Sequence, residues 1–177
     1  MIDRLLALEF TGIKLGLENI GTLCRALDHP ERSFDSIHIA GTNGKGSVTA
    51  MVHEALLAAG RRSARYTSPH LSELRERFVI GSEPVSTTDL DAAGTDVLSL
   101  AERLVRTGHL PALPTFFEAT TAIGFELFRR AGIETAVVEV GLGGRFDATN
   151  VLRSRVGAIT SIGLDHQQYL GNTIAAI

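Results

Sequence analysis

Hydrophobic positions along the chain alternate between two kinds of pattern. Short continuous apolar runs, the mark of strands buried on both faces, occur at Ile37–Ala40, Ser63–Tyr66, Thr135–Val140 and Val156–Ile162. Between them lie stretches with helical spacing. Val48, Met51, Val52, Ala55, Leu56 and Ala59 fall on one predicted helix face, and Leu90, Val97, Leu98, Leu100, Leu104 and Val105 on another. Residues 1–10 read as a short amphipathic helix, broken by Thr11-Gly12-Ile13-Lys14-Leu15-Gly16. A second helix is predicted over Leu17 to Leu27, stopped before Pro30, which cannot continue it. Phe78-Val79-Ile80 and Pro84-Val85 flank Gly81-Ser82 and suggest a small hairpin. Strands alternating with helices predict an α/β fold, a mainly parallel sheet flanked by helices.

Local signals set the expected boundaries. Thr87 or Thr88 is expected to cap the helix that runs to about Arg106. Thr115 and Glu118 have capping-box spacing at the start of a helix reaching about Arg130, which Gly132 ends. Gly60-Arg61-Arg62 reads as a helix stop with cations at the negative end of the dipole. Asn172 or Thr173 looks like the cap of one more helix, of which the chain holds about one turn. The expectation is a single domain, residues 1–177, forming the apparently truncated amino-terminal piece of a longer polypeptide.

Composition narrows the class without deciding it. The 177 residues are 44% hydrophobic and 21% charged, a globular rather than disordered balance. A net charge of −3 gives no electrostatic case for nucleic acid. No apolar run approaches the roughly 20 residues of a membrane helix, and no secretory signal is visible. The one cysteine, Cys24, lies in an apolar-periodic stretch and reads as a buried thiol, in keeping with a cytoplasmic location. His29 and His38 read as surface or strand-edge histidines.

The chemistry gathers around the first apolar run. It enters Gly41-Thr42-Asn43-Gly44-Lys45-Gly46-Ser47 and then a helix, the context of a phosphate-binding loop. Glycines let backbone N–H groups approach an anion, and the new helix adds unpaired N–H groups and its positive dipole end. Lys45 can reach the β and γ phosphates, and Ser47 can ligate or orient magnesium. The spacing departs from the usual P-loop: Ile39 stands at the first glycine position, and Gly46 separates Lys45 from Ser47. An ordinary glycine-rich strand–helix turn is the competing explanation.

Other candidates sit where strands end, the edge at which open α/β sheets bind ligands. Ser68 follows Ser63–Tyr66 and is a candidate magnesium ligand or a simple turn serine. Glu139 lies near the end of its run, where an acid costs free energy unless paired or bound to metal. A second glycine-rich loop, Gly141 to Asn150, follows it, and Gly163-Leu164-Asp165-His166 follows the last run. His166 gains weight as a ligand because Ser68 and Glu139 are expected on the same rim. Arg75 and Arg77 can meet anionic substrate groups, though solvated surface is the commoner fate. Phe116 and Phe117 suit core packing or the wall of a flat aromatic pocket.

The set HIAGTNGKGS, YTSPHL, ERFVIGSEPVS, TFFEATTA, VVEVGLGGRFDATN and ITSIGLDHQQYLG resembles folylpolyglutamate synthase and dihydrofolate synthase, as does the opening GIKLGLENI. These are Mur-ligase-like ATP-dependent amide ligases, and the resemblance runs through essentially the whole chain. It implies a P-loop Mur-ligase-like central domain that uses ATP and Mg2+ to join L-glutamate to folates, to dihydropteroate, or to both. It implies that Gly41 to Ser47 hold ATP phosphates, with Lys45 stabilising charge during transfer. Ser68 and Glu139 would ligate one magnesium, and His166, with Glu139, a second. Phe116, Phe117, Gly143, Arg145 and Asp147 would border the pteridine–benzoate substrate, with Asn150 in the same loop. The resemblance further implies small-molecule partners only, a monomeric full-length protein, and a second, glutamate-binding domain outside these residues. The fragment alone would then be inactive.

Two other classes compete. A P-loop NTPase or phosphotransferase would share the first loop and Glu139 but not Lys45-Gly46-Ser47 together with GLGGRFDATN and LDH. A non-catalytic ATP-binding fragment of such a ligase is the other.

Overall fold

The computed structural model describes residues 1–12 and 14–177; Ile13, predicted to lie in the break after the first helix, is outside them. Six strands form one sheet in the order β4-β3-β2-β5-β1-β6. They are β1 (Asp35–Ala40), β2 (Ser63–Tyr66), β3 (Phe78–Ile80), β4 (Glu83–Pro84), β5 (Thr135–Glu139) and β6 (Val156–Ile159). β2, β5, β1 and β6 run parallel, and the β3–β4 hairpin adds to β2 antiparallel. The helices are α1 (Ile2–Leu6), α2 (Glu18–Ala26), α3 (Lys45–Ala58), α4 (Thr87–Arg106), α5 (Phe116–Arg130) and α6 (Gln167–Leu170). The predicted mainly parallel α/β sheet is therefore present.

Side-chain alternation assigns the layers. On β2, Arg65 reaches Glu54 of α3, and Ser63 meets His53 of α3. Tyr66 points the other way, where its hydroxyl meets Thr120 and Thr121 of α5 and its ring stacks on Phe78 at 5.6 Å. Successive strand residues face opposite layers, so α3 covers one face and α5 the other. β5, flanked by β2 and β1, is buried at all five positions, which is why it reads as an unbroken apolar run. The main core lies on the α5 side, where Ala136 and Val138 join Ile123, Phe125 and Phe128 and side chains from α2 and α4.

Several boundaries differ from expectation. α1 is short and continues as a 3-10 turn, Ala7–Thr11. Ser86, not Thr87 or Thr88, caps α4: its hydroxyl accepts from Asp89 N–H at 3.0 Å. Gly60 stops α3 as expected, at φ 74° and with Arg61 N–H donating to Leu56 carbonyl at 3.0 Å, but the side chains of Arg61 and Arg62 pair with Glu134. β6 stops at Ile159, because Thr42 N–H donates to Ser161 carbonyl and draws the next residues toward the glycine loop. The short α6 lies before the expected cap, and at Thr173 that cap is present: its hydroxyl accepts from Ala176 N–H at 3.3 Å and its carbonyl from Ile177 N–H at 3.2 Å, a single turn not extended into a helix. His38 is not at a strand edge, since β1 has neighbours on both sides. Cys24 is buried as expected.

The larger correction concerns α3. Its fully buried residues are Thr49 and His53, one turn apart, while Met51 is 63% exposed. The helix is apolar on several sides, so spacing alone did not reveal the buried stripe. Hydrogen bonding holds His53 there: its Nε2 lies 2.8 Å from Gly81 carbonyl and its Nδ1 lies 3.0 Å from Ser63 hydroxyl. Nε2–H donating and Nδ1 accepting satisfies both ring nitrogens in the neutral tautomer.

Candidate phosphate and acid-binding site

Because four strands are parallel, their carboxyl ends share one edge, and the loops that follow form one rim. Gly41 to Gly44 follow β1 there, and α3 begins at Lys45 with Gly44 at its cap in a left-handed conformation, φ 82°. Gly41 has φ 128°, and a Cβ on it would lie 2.0 Å from Thr160 Oγ1. Only glycine lets the loop pass that close to the segment after β6. Thr42 fastens the two together: its hydroxyl accepts from Gly163 N–H at 2.9 Å and donates to Gly163 carbonyl at 3.2 Å. Lys45 Nζ arches over the loop and donates to the carbonyls of Gly41 at 2.9 Å and Thr42 at 3.2 Å.

Glu139 ends β5 immediately beside this loop. A Cβ on Gly46 would stand 3.6 Å from Glu139 Oε2, so the carboxylate faces the first turn of α3. The same oxygen accepts from Ser68 backbone N–H at 3.0 Å. Glu139 is 5% exposed. Burial pushes its carboxyl up from the ordinary range; the Ser68 N–H, Lys45 and Arg77 act against that rise without cancelling it. Oε1 has no hydrogen-bond partner among the described residues. A buried carboxylate with one uncommitted oxygen, beside a half-buried serine and a glycine-rich helix start, fits a hard divalent cation bound with phosphate. Among the described residues no cluster of three or more His, Cys, Asp or Glu side chains is assembled for a metal.

His166 is exposed and caps α6 in a left-handed conformation. It lines two adjoining spaces. One is a recess shared with Gly41, Lys45, Gly143 and Asp165. The other is a cavity of about 280 Å³, walled by Phe116, Phe117 and Phe146, that also reaches Ser68. The structure thus brings Ser68 and Glu139 into contact and sets His166 on the same rim.

The predicted substrate residues separate. Phe116 and Phe117 line the aromatic cavity; Gly143 faces the recess beside Lys45. Arg145 lines neither space; it sits in an outer depression with Tyr169, and its carbonyl accepts from Asn150 Nδ2. Asp147 borders the cavity, but its carboxylate is engaged by its own loop, accepting from Leu142 N–H at 2.7 Å and from Thr149 N–H at 3.0 Å. His38 supports that clamp through a 2.8 Å contact with Thr149 hydroxyl; burial lowers its pKa, and Asp147 acts the other way.

Arg77 is the residue whose fate differs most from expectation. It is 7% exposed, lines the aromatic cavity, and lies 5.2 Å above the centre of the Phe116 ring, whereas Arg75 is on the surface pairing with Glu73. Lys14 and Leu15 also line the cavity, brought there as Gly16 N–H donates to Phe146 carbonyl. No local signal in the sequence marks Arg77 for burial; its partners, His70 and the Phe116 ring, come from other parts of the chain.

No protein-family model matches the chain. Curated relatives do. The chain is 43% identical over 173 residues to a Mycobacterium tuberculosis dihydrofolate synthase/folylpolyglutamate synthase, covering 94% of this chain and 35% of that protein. It is 39% identical over 167 residues to the Bacillus subtilis protein of the same description, covering 94% and 38%. The chain therefore spans under two fifths of the length of these relatives. Among solved structures, it is similar to M. tuberculosis folylpolyglutamate synthase complexed with ADP and AMPPCP, with TM-score 0.86, 42% identity, and 98% of this chain and 40% of that one covered. It is also similar to E. coli FolC in complex with DHPP and ADP, with TM-score 0.88, 32% identity, and coverage of 97% and 40%.

Proposed function

Since the chain belongs, along nearly its whole length, to the folylpolyglutamate synthase and dihydrofolate synthase family, we propose that it is the ATP-binding domain of an ATP-dependent carboxylate–amine ligase. Its acid substrate is a folate, dihydropteroate, or both, and the amine is that of L-glutamate. The observation that carries this reading is the contact of two sites. The recess beside Lys45 and the aromatic cavity share Gly141, Leu142 and His166 as a common wall, and Ser68 of the cavity donates its N–H to Glu139 beside the glycine loop, so a phosphate donor and an aromatic acid can bind side by side.

In this reading Gly41 to Ser47 hold the ATP phosphates, and Lys45 exchanges its bonds to Gly41 and Thr42 for the phosphate oxygens. Ser68 and Glu139 would hold one magnesium and His166, with Glu139, a second, and these ions would supply positive charge at the transferring phosphoryl group. The γ-phosphoryl passes to a carboxylate oxygen of the substrate as its bond to ADP breaks, giving an acyl phosphate. The glutamate nitrogen attacks the acyl carbon, phosphate leaves with the bonding pair, and the nitrogen gives up a proton to form the amide. Phe116, Phe117 and Phe146 bind the flat body of the acid and exclude water from the activated carbonyl. No side-chain nucleophile is required. Ligation is proposed for the protein that contains this chain together with a glutamate-positioning domain such as the remaining length of the relatives would supply.

The test is phosphate release and glutamate incorporation with MgATP, with and without dihydropteroate and glutamate. It uses this chain alone and with the carboxyl-terminal part of the M. tuberculosis relative supplied in trans. Release that depends on both substrates supports the ligase. Substrate-independent turnover would mark an NTPase, and nucleotide binding without turnover in either arm would mark a binding module.

A further inference from the structure

Arg77 presents a physical problem that the phosphate loop and the metal ligands leave unsolved. Its guanidinium is buried, yet it forms an ion pair with no carboxylate among the described residues; the groups it touches, His70 and the Phe116 ring, are a neutral acceptor and an aromatic face. Nε–H donates to His70 Nδ1 at 2.9 Å, which fixes the plane of the group. One face rests over Phe116 at 5.2 Å. Its backbone is held as well, the carbonyl accepting from Thr67 N–H at 3.1 Å, one residue before Ser68. The two Nη nitrogens make no hydrogen bond among the described residues, and the side chain borders the aromatic cavity. Glu139 feels its charge but forms no ion pair with it; its Oε2 accepts from Ser68 N–H, and the carboxylate faces the first turn of α3.

A buried cation without a counter-ion is costly unless a ligand supplies one. A guanidinium whose Nε is occupied and whose face is stacked retains the paired Nη donors that suit a carboxylate. The cavity around it is walled by aromatic rings and opens toward Ser68. A flat aromatic body ending in a carboxylate matches that arrangement in shape and charge.

We propose that Arg77 recognises the carboxylate of the acid bound in the aromatic cavity and holds it beside Ser68 and Glu139 for activation. His70 is the positioning residue that orients it. The inference rests on the ligase reading above, and adds to it the residue that selects an acid over a neutral analogue.

The experiment is calorimetric titration of this chain, with AMPPCP and magnesium present, using pteroate and the carboxamide of pteroate. The wild-type chain is expected to bind pteroate roughly 10- to 100-fold more tightly than the carboxamide, the worth of a charge-assisted hydrogen bond. Arg77→Met should bind both at the carboxamide's affinity, and Arg77→Lys should retain part of the preference. Equal binding of the two ligands by the wild-type chain overturns the inference without need of a folded variant, and leaves the ligase reading standing. So does Arg77→Met weakening both ligands by the same factor, which would make Arg77 a packing residue. Failure of the wild-type chain to bind pteroate at all overturns the ligase reading and the inference with it.

Discussion

Glu139 Oε2 and the backbone N–H of Ser68 stand 3.0 Å apart, joining the carboxyl ends of β5 and β2 at the mouth of the glycine loop. The contact settles only one oxygen of a buried carboxylate whose pKa burial has already raised. The ionised form is therefore held at a cost in the ligand-free chain, and a cation with phosphate would relieve it.

Glu139→Gln keeps the shape and an oxygen for Ser68 N–H while removing the charge. Thermal unfolding of the ligand-free variant is expected within about 0.5 kcal/mol of wild type, or slightly more stable. Magnesium-dependent binding of AMPPCP should fall by roughly 100-fold, the upper range for a lost ligand or its support. An unchanged magnesium titration with lowered stability would make Glu139 a structural acid.

Lys45→Ala separates the loop's charge from its fold. Among the described residues the ammonium bonds only to the carbonyls of its own loop, so the variant should unfold within about 0.5 kcal/mol of wild type. Its affinity for ATP, measured by calorimetry, should drop by roughly 10- to 100-fold, the value of a charged hydrogen bond to phosphate. Retained affinity would remove Lys45 from the phosphate site.

Much of this site is legible in the amino-acid sequence alone. The apolar run into Gly41–Ser47, the acid closing β5 and the Thr115–Glu118 cap are local signals, and all three are present, the last with Thr115 N–H donating to Glu118 at 2.7 Å. Glu118 also shows what a local signal omits. Its other oxygen, Oε1, is buried and has no hydrogen-bond partner among the described residues, at the edge of the aromatic cavity. Arg77 and His53 were illegible for a related reason. A charged or titratable side chain is buried when another element supplies its partner, and Phe116, His70, Ser63 and Gly81 all come from other parts of the chain. Likewise, nothing in GLGGRFDATN distinguishes Asp147, which turns inward to clamp the loop, from Arg145, which turns out.

Gly41→Ala tests the close approach that the loop requires. The added Cβ would collide with Thr160 Oγ1 at 2.0 Å and crowd Thr160 N at 3.0 Å, at a backbone φ of 128°. A cost of about 2–3 kcal/mol is expected, or roughly 5–10 °C in melting temperature. Adding Thr160→Ala removes the hydroxyl but not the backbone crowding or the φ, so rescue should be partial. Full rescue would assign the whole cost to the side chain and none to the conformation.

His53 makes stability depend on pH in a direction the structure fixes. Burial lowers its pKa below the ordinary 6.5; the Gly81 carbonyl and Glu54 act to raise it and Arg65 to lower it, and burial prevails. The unfolded chain therefore takes up a proton at higher pH than the folded chain does. Stability from the neutral ring is fully present above pH 6.5, and it falls as pH drops from there through the folded-state value. His38 is lowered for the same reason and adds a slope of the same sign. Denaturant unfolding between about pH 7.5 and pH 5.5 should show stability declining toward acid. His53→Gln, which can still donate to Gly81 carbonyl but does not titrate, should be less stable than wild type near neutral pH because a packed ring is lost. Its decline toward acid should be shallower than wild type, with the His38 contribution remaining. A variant with the wild-type slope would show that His53 takes up its proton equally in both states, which the contacts with Ser63 and Gly81 in a buried site do not permit.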